Sequence, residues 1–175
     1  GETEVVRVGG GGVEIGQGVL HPAELGLEHR LPLGVGEALG ALIATQGISI
    51  MQATPTTWHM LLDSGWTAPP RLRVLCGGEP LPPSLAARLL EQGVELWNMY
   101  GPTETTVWST LAHVTDAARK ITIGAPIDNT QVWIIDEGGR PAGVGAEGEI
   151  CIGGTGVALG YWRRPELTAE KFIQD

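Results

Sequence analysis

The most constraining feature of this sequence is the alternation of apolar runs and amphipathic segments between residues 48 and 97. The runs are four residues long and are Ile48–Met51, Leu72–Leu75 and Val94–Trp97. Such short continuous runs are typical of strands buried on both faces of a parallel sheet, and the segments between them have helical spacing. The alternation predicts an α/β fold with a doubly wound parallel sheet.

Proline and glycine mark the boundaries of the predicted helices. Pro55 and Pro82 stand where the two crossover helices would begin, as proline does in the first turn of many helices. A further helical pattern covers Glu37–Gln46 and ends at Gly47. We interpret residues 37–118 as an α/β subdomain.

The pattern changes near residue 120. Gln131–Ile135 and Gly148–Gly153 are short strand-like runs joined by glycine-rich turns, and helical spacing returns only over Glu166–Phe172. These features predict a small β-rich subdomain, a partial barrel, over residues 119–175. Residues 1–36 form an anomalous glycine-rich segment, in which Val5–Val8 has strand spacing but which is expected to be mainly loop.

Composition excludes several classes of function. The chain has 11 Lys+Arg and 20 Asp+Glu, a formal net charge of −9, whereas binders of the nucleic-acid backbone are basic. No apolar run reaches the ~18 residues of a membrane span. Cys76 and Cys151 lie in apolar runs, which favours buried free thiols in a reducing compartment and a cytoplasmic protein. No partner is therefore expected among nucleic acids or membranes.

Ligands of open parallel sheets bind beyond the carboxyl ends of the strands. The richest of these loops is Asn98–Thr106, where a Gly-Pro turn is followed by threonine hydroxyls. Glu104 offers the hard oxygen that Mg²⁺ takes when it is shared with phosphates, and Tyr100 offers a ring for stacking on a base. The alternative is a capped turn before a helix, with threonine as the N-cap.

A second loop, Cys76–Pro80, has a double glycine at a strand end. Glycine lets a backbone approach a flat ring closely, but taken without the first loop this pattern favours an ordinary strand-to-helix turn. The run Gly9–Gly12 lacks the Lys-Ser/Thr of a phosphate-binding loop.

Several segments together resemble one family, the amino-acid adenylation domains of nonribosomal peptide synthetases. The two longest are NMYGPTETT at 98–106 and GEICIGGTGVALGYWRRPELTAEKF at 148–172. Shorter similar segments are IGAPIDNTQVWIID at 123–136, QATPTTW at 52–58 and GGEPLP at 77–82. The resemblance extends over residues 37–175 and implies membership of the adenylate-forming superfamily.

This resemblance implies that a carboxylic acid attacks the α-phosphate of ATP, giving an acyl-adenylate and pyrophosphate. The acyl group would then pass to the phosphopantetheine thiol of a carrier protein. By the same resemblance, Glu104 is the Mg²⁺ ligand and Thr103 a phosphate contact, and both are catalytic. The other implied nucleotide contacts are Gly78, Glu79 and Pro80 along adenine, Tyr100 stacked on it, and Asn98 at its amino group.

The family reads its amino acid with side chains at the same strand ends. The matching positions are Gln52, Leu75, Gly77, Met99, Val107 and Trp108. Met99 and Trp108 are bulky and would leave room for little or no side chain, and the set is similar to the family pattern for glycine. We expect glycine, then alanine. For Trp108 the alternative is plain core packing.

The resemblance also implies partners: a small amino acid, ATP, and the peptidyl carrier protein and condensation domains of the same assembly line. The family's lysine-containing phosphate loop, ribose-binding Asp and catalytic Lys do not occur in this sequence. We therefore expect a fragment that is inactive alone. The alternatives are a non-catalytic remnant or interaction unit, and a fragment of an acyl-CoA or aryl-acid synthetase.

Overall fold

The structure is a computed structural model that describes residues 4–8 and 34–174. The helices of this part are α1 (Val35–Thr45), α2 (Pro55–Asp63), α3 (Pro83–Glu91) and α4 (Pro165–Lys171). Its strands are β1 (Glu4–Val8), β2 (Ile50–Ala53), β3 (Arg73–Gly77), β4 (Glu95–Tyr100), β5 (Thr110–Val114), β6 (Ala125–Pro126), β7 (Thr130–Ile135), β8 (Glu149–Gly154) and β9 (Phe172–Gln174). Among the described residues, no helix has the length and apolar character needed to cross a membrane.

One sheet has the strand order β2-β3-β4-β5-β6. Its first three strands are parallel, with Gln52 opposite Leu75 and Gly77 opposite Met99. β5 and β6 are antiparallel. The three predicted strands are confirmed, but each begins one or two residues later than its apolar run and continues further toward its carboxyl end, because backbone pairing does not depend on the apolar run.

Helix α2 begins at Pro55, as the sequence predicts, whereas α1 begins at Val35, before the predicted Glu37. The Thr54 hydroxyl accepts a hydrogen bond from the Thr57 amide at 3.4 Å, and Pro55 occupies the first turn of α2. The carboxylate of Glu37 accepts from the Gly34 amide at 3.2 Å at the start of α1. These contacts satisfy amides that have no partner within the helix.

The main hydrophobic core lies between the parallel strands and α1, α2 and α3. Trp58, Leu61 and Leu85 from the helices are fully buried together with Val74 and Leu96 from the strands. Each such side chain contributes about 1.5–3 kcal/mol when it leaves water. On β3 the core-facing residues Val74 and Cys76 are buried, whereas Arg73 and Leu75 on the opposite face are more accessible.

The second sheet is antiparallel, with the order β7-β8-β1-β9. The strand-like runs after residue 120 and the last helix are confirmed. Residues 4–8 correct the expectation of a loop: they form β1, with Val6 opposite both Ile152 and Phe172. The rest of the glycine-rich segment, apart from Gly34–Gly36, lies outside the described residues.

The described chain divides into two compact units. One comprises residues 34–99 and 112–124, and the other comprises residues 4–8, 100–111 and 125–174. The first unit contains the parallel strands β2 and β3, the helices α1–α3 and most of β4. The fold class predicted from the sequence, an α/β chain with a parallel sheet followed by a β-rich part, is confirmed.

Candidate functional site

Four of the predicted amino-acid-binding residues share one face of the parallel sheet. Gln52 is paired with Leu75, and Gly77 is paired with Met99. Paired residues project to the same face, and Leu75 and Gly77 are two residues apart, so all four belong to one face at the carboxyl ends of three strands. Gln52 is exposed, while Leu75 and Met99 are half-buried. This is the face opposite the buried Val74.

Asn98 belongs to the other face of the same strand ends. It is paired with Cys76 and is only 7% exposed. Its side-chain Nδ2 donates to the backbone carbonyl of Thr122 at 2.8 Å. Because a carbonyl only accepts, this bond fixes the orientation of the amide and leaves Oδ1 as an acceptor.

The glycine-rich loop after β3 has its own local structure. Gly78 has a φ of +88°, a left-handed conformation that favours glycine. The Thr56 hydroxyl on α2 donates to both carboxylate oxygens of Glu79, at 2.9 and 3.2 Å. Pro80 is exposed. Burial, and then the charge of Glu79, raise the pKa of the Cys76 thiol to about 12, which makes it a poor nucleophile.

In the second unit, the loop after Tyr100 folds back tightly on itself. The Ser109 amide donates to the Tyr100 carbonyl at 2.8 Å. A Cβ on Gly101 would lie 2.5 Å from the Val107 carbonyl oxygen, so only glycine fits between these backbone segments. Thr106 and Val107 have φ values of 59° and 72°, a conformation that is costly for β-branched residues.

A single 3-10 turn, Thr103–Thr105, forms the centre of this loop, and the chain then enters β5. The alternative of a capped turn leading into a helix is therefore wrong. The buried hydroxyls of Thr105 and Ser109 lie 2.5 Å apart and form a hydrogen bond that stabilises the turn.

Glu104 is held by two contacts from the segment after β8. Its backbone carbonyl accepts from the Ala158 amide at 2.8 Å. Its carboxylate Oε1 accepts from the Tyr161 hydroxyl. Burial, followed by this bond and the charges of Glu104 and Glu170, raises the pKa of Tyr161 to about 12. Burial and the Glu104 charge also raise the pKa of Tyr100.

Sequence reasoning did not identify Tyr161 as a functional residue. It lies 57 positions from Glu104 in the chain, so no local spacing connects the two. Only its place in the motif at 148–172 marks the segment.

Thr103, Val107 and Trp108 belong to the same unit as Glu104. Thr103 is exposed, Val107 is 60% exposed, and Trp108 is partly buried. Trp108 does not belong to the main hydrophobic core that the described residues form around the parallel strands.

The carboxylate oxygens available at Glu104 fit a Mg²⁺ ion that would also bind oxygen atoms of a substrate. Among the described residues, none donates to the second carboxylate oxygen, Oε2. Within the same residues there is no group of three or more His, Cys, Asp or Glu side chains that would enclose a metal. Mg²⁺ commonly binds through one carboxylate plus phosphate oxygens and water, which suits such a site.

A sequence profile of the AMP-binding enzyme family matches residues 17–162. This chain belongs to the AMP-binding enzyme family. Over 140 residues this chain is 47% identical to the dimodular nonribosomal peptide synthase of Bacillus subtilis (strain 168), a match that covers 79% of this chain and 6% of the relative. It is 41% identical over 140 residues to tyrocidine synthase 2 of Brevibacillus parabrevis, a match that covers 78% of this chain and 4% of the relative. The chain thus spans only a small part of the length of these relatives.

Solved structures agree with these sequence relatives. This chain is similar to a holo four-domain nonribosomal peptide synthetase bound to AMP and glycine, with a TM-score of 0.73 and 45% identity, over 80% of this chain and 12% of that one. It is also similar to the N-terminal subdomain of Klebsiella oxytoca NpsA, with a TM-score of 0.68 and 26% identity, over 81% of this chain and 36% of that one. The recognition of a partial adenylation domain from the sequence motifs is confirmed.

Proposed function

We propose that this chain forms part of an enzyme that activates an amino acid with ATP, giving an aminoacyl-AMP and pyrophosphate. The observation that carries the proposal is the placement of Gln52, Leu75, Gly77 and Met99 on one face at the ends of three parallel strands. Parallel sheets bind ligands at such ends. The choice of ATP as the nucleotide in this proposal rests on membership of the AMP-binding enzyme family.

The nucleotide contacts are proposed from the chemistry of each side chain. The Oδ1 of Asn98 is proposed to accept a hydrogen bond from the amino group of adenine, because the side-chain amide already donates to the Thr122 carbonyl. The ring of Tyr100 stacks on the base, and the Thr103 hydroxyl and nearby amides bind phosphate oxygens. In the loop after β3, Gly78 lets the backbone approach adenine, while Glu79 is held toward Thr56.

The reaction requires the substrate carboxylate to reach the α-phosphate in line with the departing pyrophosphate. Glu104 is proposed to hold Mg²⁺ through its second carboxylate oxygen. When bound, this ion would neutralise phosphate charge. The contribution of the chain's own residues is positioning, because both reactants are held by the protein and their encounter no longer costs translational freedom.

Glycine is the proposed amino acid. By the family resemblance Met99, Val107 and Trp108 are specificity positions, and we propose that large side chains such as Met99 and Trp108 at these positions exclude a longer substrate side chain. One methylene changes binding in an apolar pocket by about 1–3 kcal/mol, so filling the space is an effective way to prefer glycine. A related synthetase that was solved with AMP and glycine supports this choice.

The test is amino-acid-dependent exchange of pyrophosphate into ATP by the protein at its full natural length. We expect glycine to give the highest kcat/KM, alanine a value about 10- to 200-fold lower, and leucine little exchange. A preference for leucine or phenylalanine over glycine would refute the substrate assignment, and no exchange with any amino acid would refute the activity.

The partners belong to the same proposal. The aminoacyl group would pass to phosphopantetheine on a peptidyl carrier protein domain, next to a condensation domain, in the cytoplasm. The 175-residue chain alone is proposed not to turn over, because it contains no lysine-bearing phosphate loop. Robust exchange by the chain alone would contradict this.

A further inference from the structure

The two carboxylate oxygens of Glu104 have different surroundings. Oε1 accepts a hydrogen bond from the Tyr161 hydroxyl, whereas Oε2 has no donor among the described residues. A glutamate side chain normally samples many rotamers. The hydrogen bond from Tyr161 fixes the position of Oε1, and this in turn fixes the direction in which Oε2 points.

Tyr161 is itself well placed to impose an orientation. Its backbone amide donates to the Thr168 hydroxyl at 2.9 Å. Its ring meets Phe172 edge-on, with centroids 5.5 Å apart and planes at 84°. The preceding Gly160 has a φ of +131°, and a Cβ there would lie 2.5 Å from the Thr168 side chain. The segment is therefore fixed by α4 and β9.

Two further hydrogen bonds join the segment around Glu104 to the segment that precedes Tyr161. The Ala158 amide donates to the Glu104 carbonyl at 2.8 Å. The Thr106 hydroxyl donates to the Gly156 carbonyl at 2.7 Å. These two bonds fix the main chain at Glu104 and just after it. The Tyr161 hydroxyl therefore binds the carboxylate of a residue whose main chain is already held in place.

We propose that Tyr161 is a positioning residue, whose hydroxyl holds the Glu104 carboxylate so that Oε2 faces the divalent cation bound with the nucleotide. This inference rests on the proposed function, in which Glu104 is the metal ligand. Partners of metal ligands commonly contribute 10–100-fold to metal affinity by fixing ligand orientation. Tyr161 does not contact the reacting atoms in this proposal.

The test removes only the hydroxyl, in the protein at its full natural length. Binding of Mn²⁺, used as the spectroscopic probe for Mg²⁺, is followed by electron paramagnetic resonance with a non-hydrolysable ATP analogue at saturation. We expect Tyr161→Phe to raise the Mn²⁺ dissociation constant about tenfold, while the analogue's affinity in EDTA stays within about twofold of wild type. Trp162→Phe is the matched control, since Trp162 is the next residue and 85% exposed.

The outcomes separate the two proposals. An unchanged Mn²⁺ dissociation constant in Tyr161→Phe, together with a weakened one in Glu104→Gln, overturns the positioning role alone. An unchanged constant in Glu104→Gln overturns the metal role of Glu104. If Tyr161→Phe does not fold, Phe172→Leu keeps the hydroxyl but loosens the ring. We then expect a smaller rise in the dissociation constant, and no rise overturns the inference.

Discussion

Replacing Gly101 by alanine tests whether the motif loop depends on a close approach of two backbone segments. The added Cβ would lie 2.5 Å from the Val107 carbonyl oxygen, 2.6 Å from the Trp108 Cα and 2.8 Å from the Ser109 nitrogen. All three atoms are backbone, so no side chain can rotate away. The loop itself must open.

The cost follows from the distances. Ordinary contact begins near 3.4 Å, so the segments must part by about 0.9 Å. The 2.8 Å bond between the Ser109 amide and the Tyr100 carbonyl would then be lost. Overpacking costs about 1–3 kcal/mol and a lost hydrogen bond about 0.5–1.5 kcal/mol, so we expect the free energy of unfolding to fall by about 2–4 kcal/mol.

Urea unfolding followed by tryptophan fluorescence measures this loss. Gly143→Ala is the matched control, because Gly143 belongs to the same compact unit and an added Cβ there meets nothing within 4 Å. We expect that control to be neutral or slightly stabilising. If the two variants differ by less than about 0.5 kcal/mol, the steric reasoning is refuted.

Two further predictions concern the first unit. Asn98→Asp would set a carboxylate against the Thr122 carbonyl in place of a donor, so we expect a loss of about 1–3 kcal/mol in urea unfolding; equal stability would mean that the amide orientation is wrong. Because burial raises the Cys76 pKa from 9.0 to about 12, the folded chain keeps a proton that the unfolded chain loses. Stability should therefore fall as pH rises from about 9 toward 12, and Cys76→Ala should lessen this fall in urea titrations; an identical fall in wild type and variant would contradict it.

The sequence determines much of the parallel sheet because its information is local. Three apolar runs and proline near the helix starts identify the elements without reference to the rest of the chain. Strand ends are less predictable: Gln52 and Gly77 extend their strands although neither continues an apolar run, because the neighbouring backbone offers pairing partners. Local composition does not contain that information.

The residues of the candidate site also differ in how far the sequence alone predicts their placement. Strand-end positions such as Leu75 and Met99 follow from topology, and in the structure they lie on one face of the sheet. The contact between Tyr161 and Glu104 depends on two loops that are distant in the chain, so no periodicity predicts it. The hydrogen bond from the Asn98 side-chain amide to the Thr122 carbonyl is likewise visible only in the folded chain.

The position of β1 in its sheet affects the order in which this chain can fold. β1 lies between β8 and β9, and Glu4 pairs with Gln174. Bringing such distant segments together costs chain entropy and slows folding. During synthesis β1 emerges long before β8 and β9, so both of its edges stay open until those strands follow. An open strand edge of this kind invites pairing with other chains, so expression at low temperature or with chaperones should reduce aggregation.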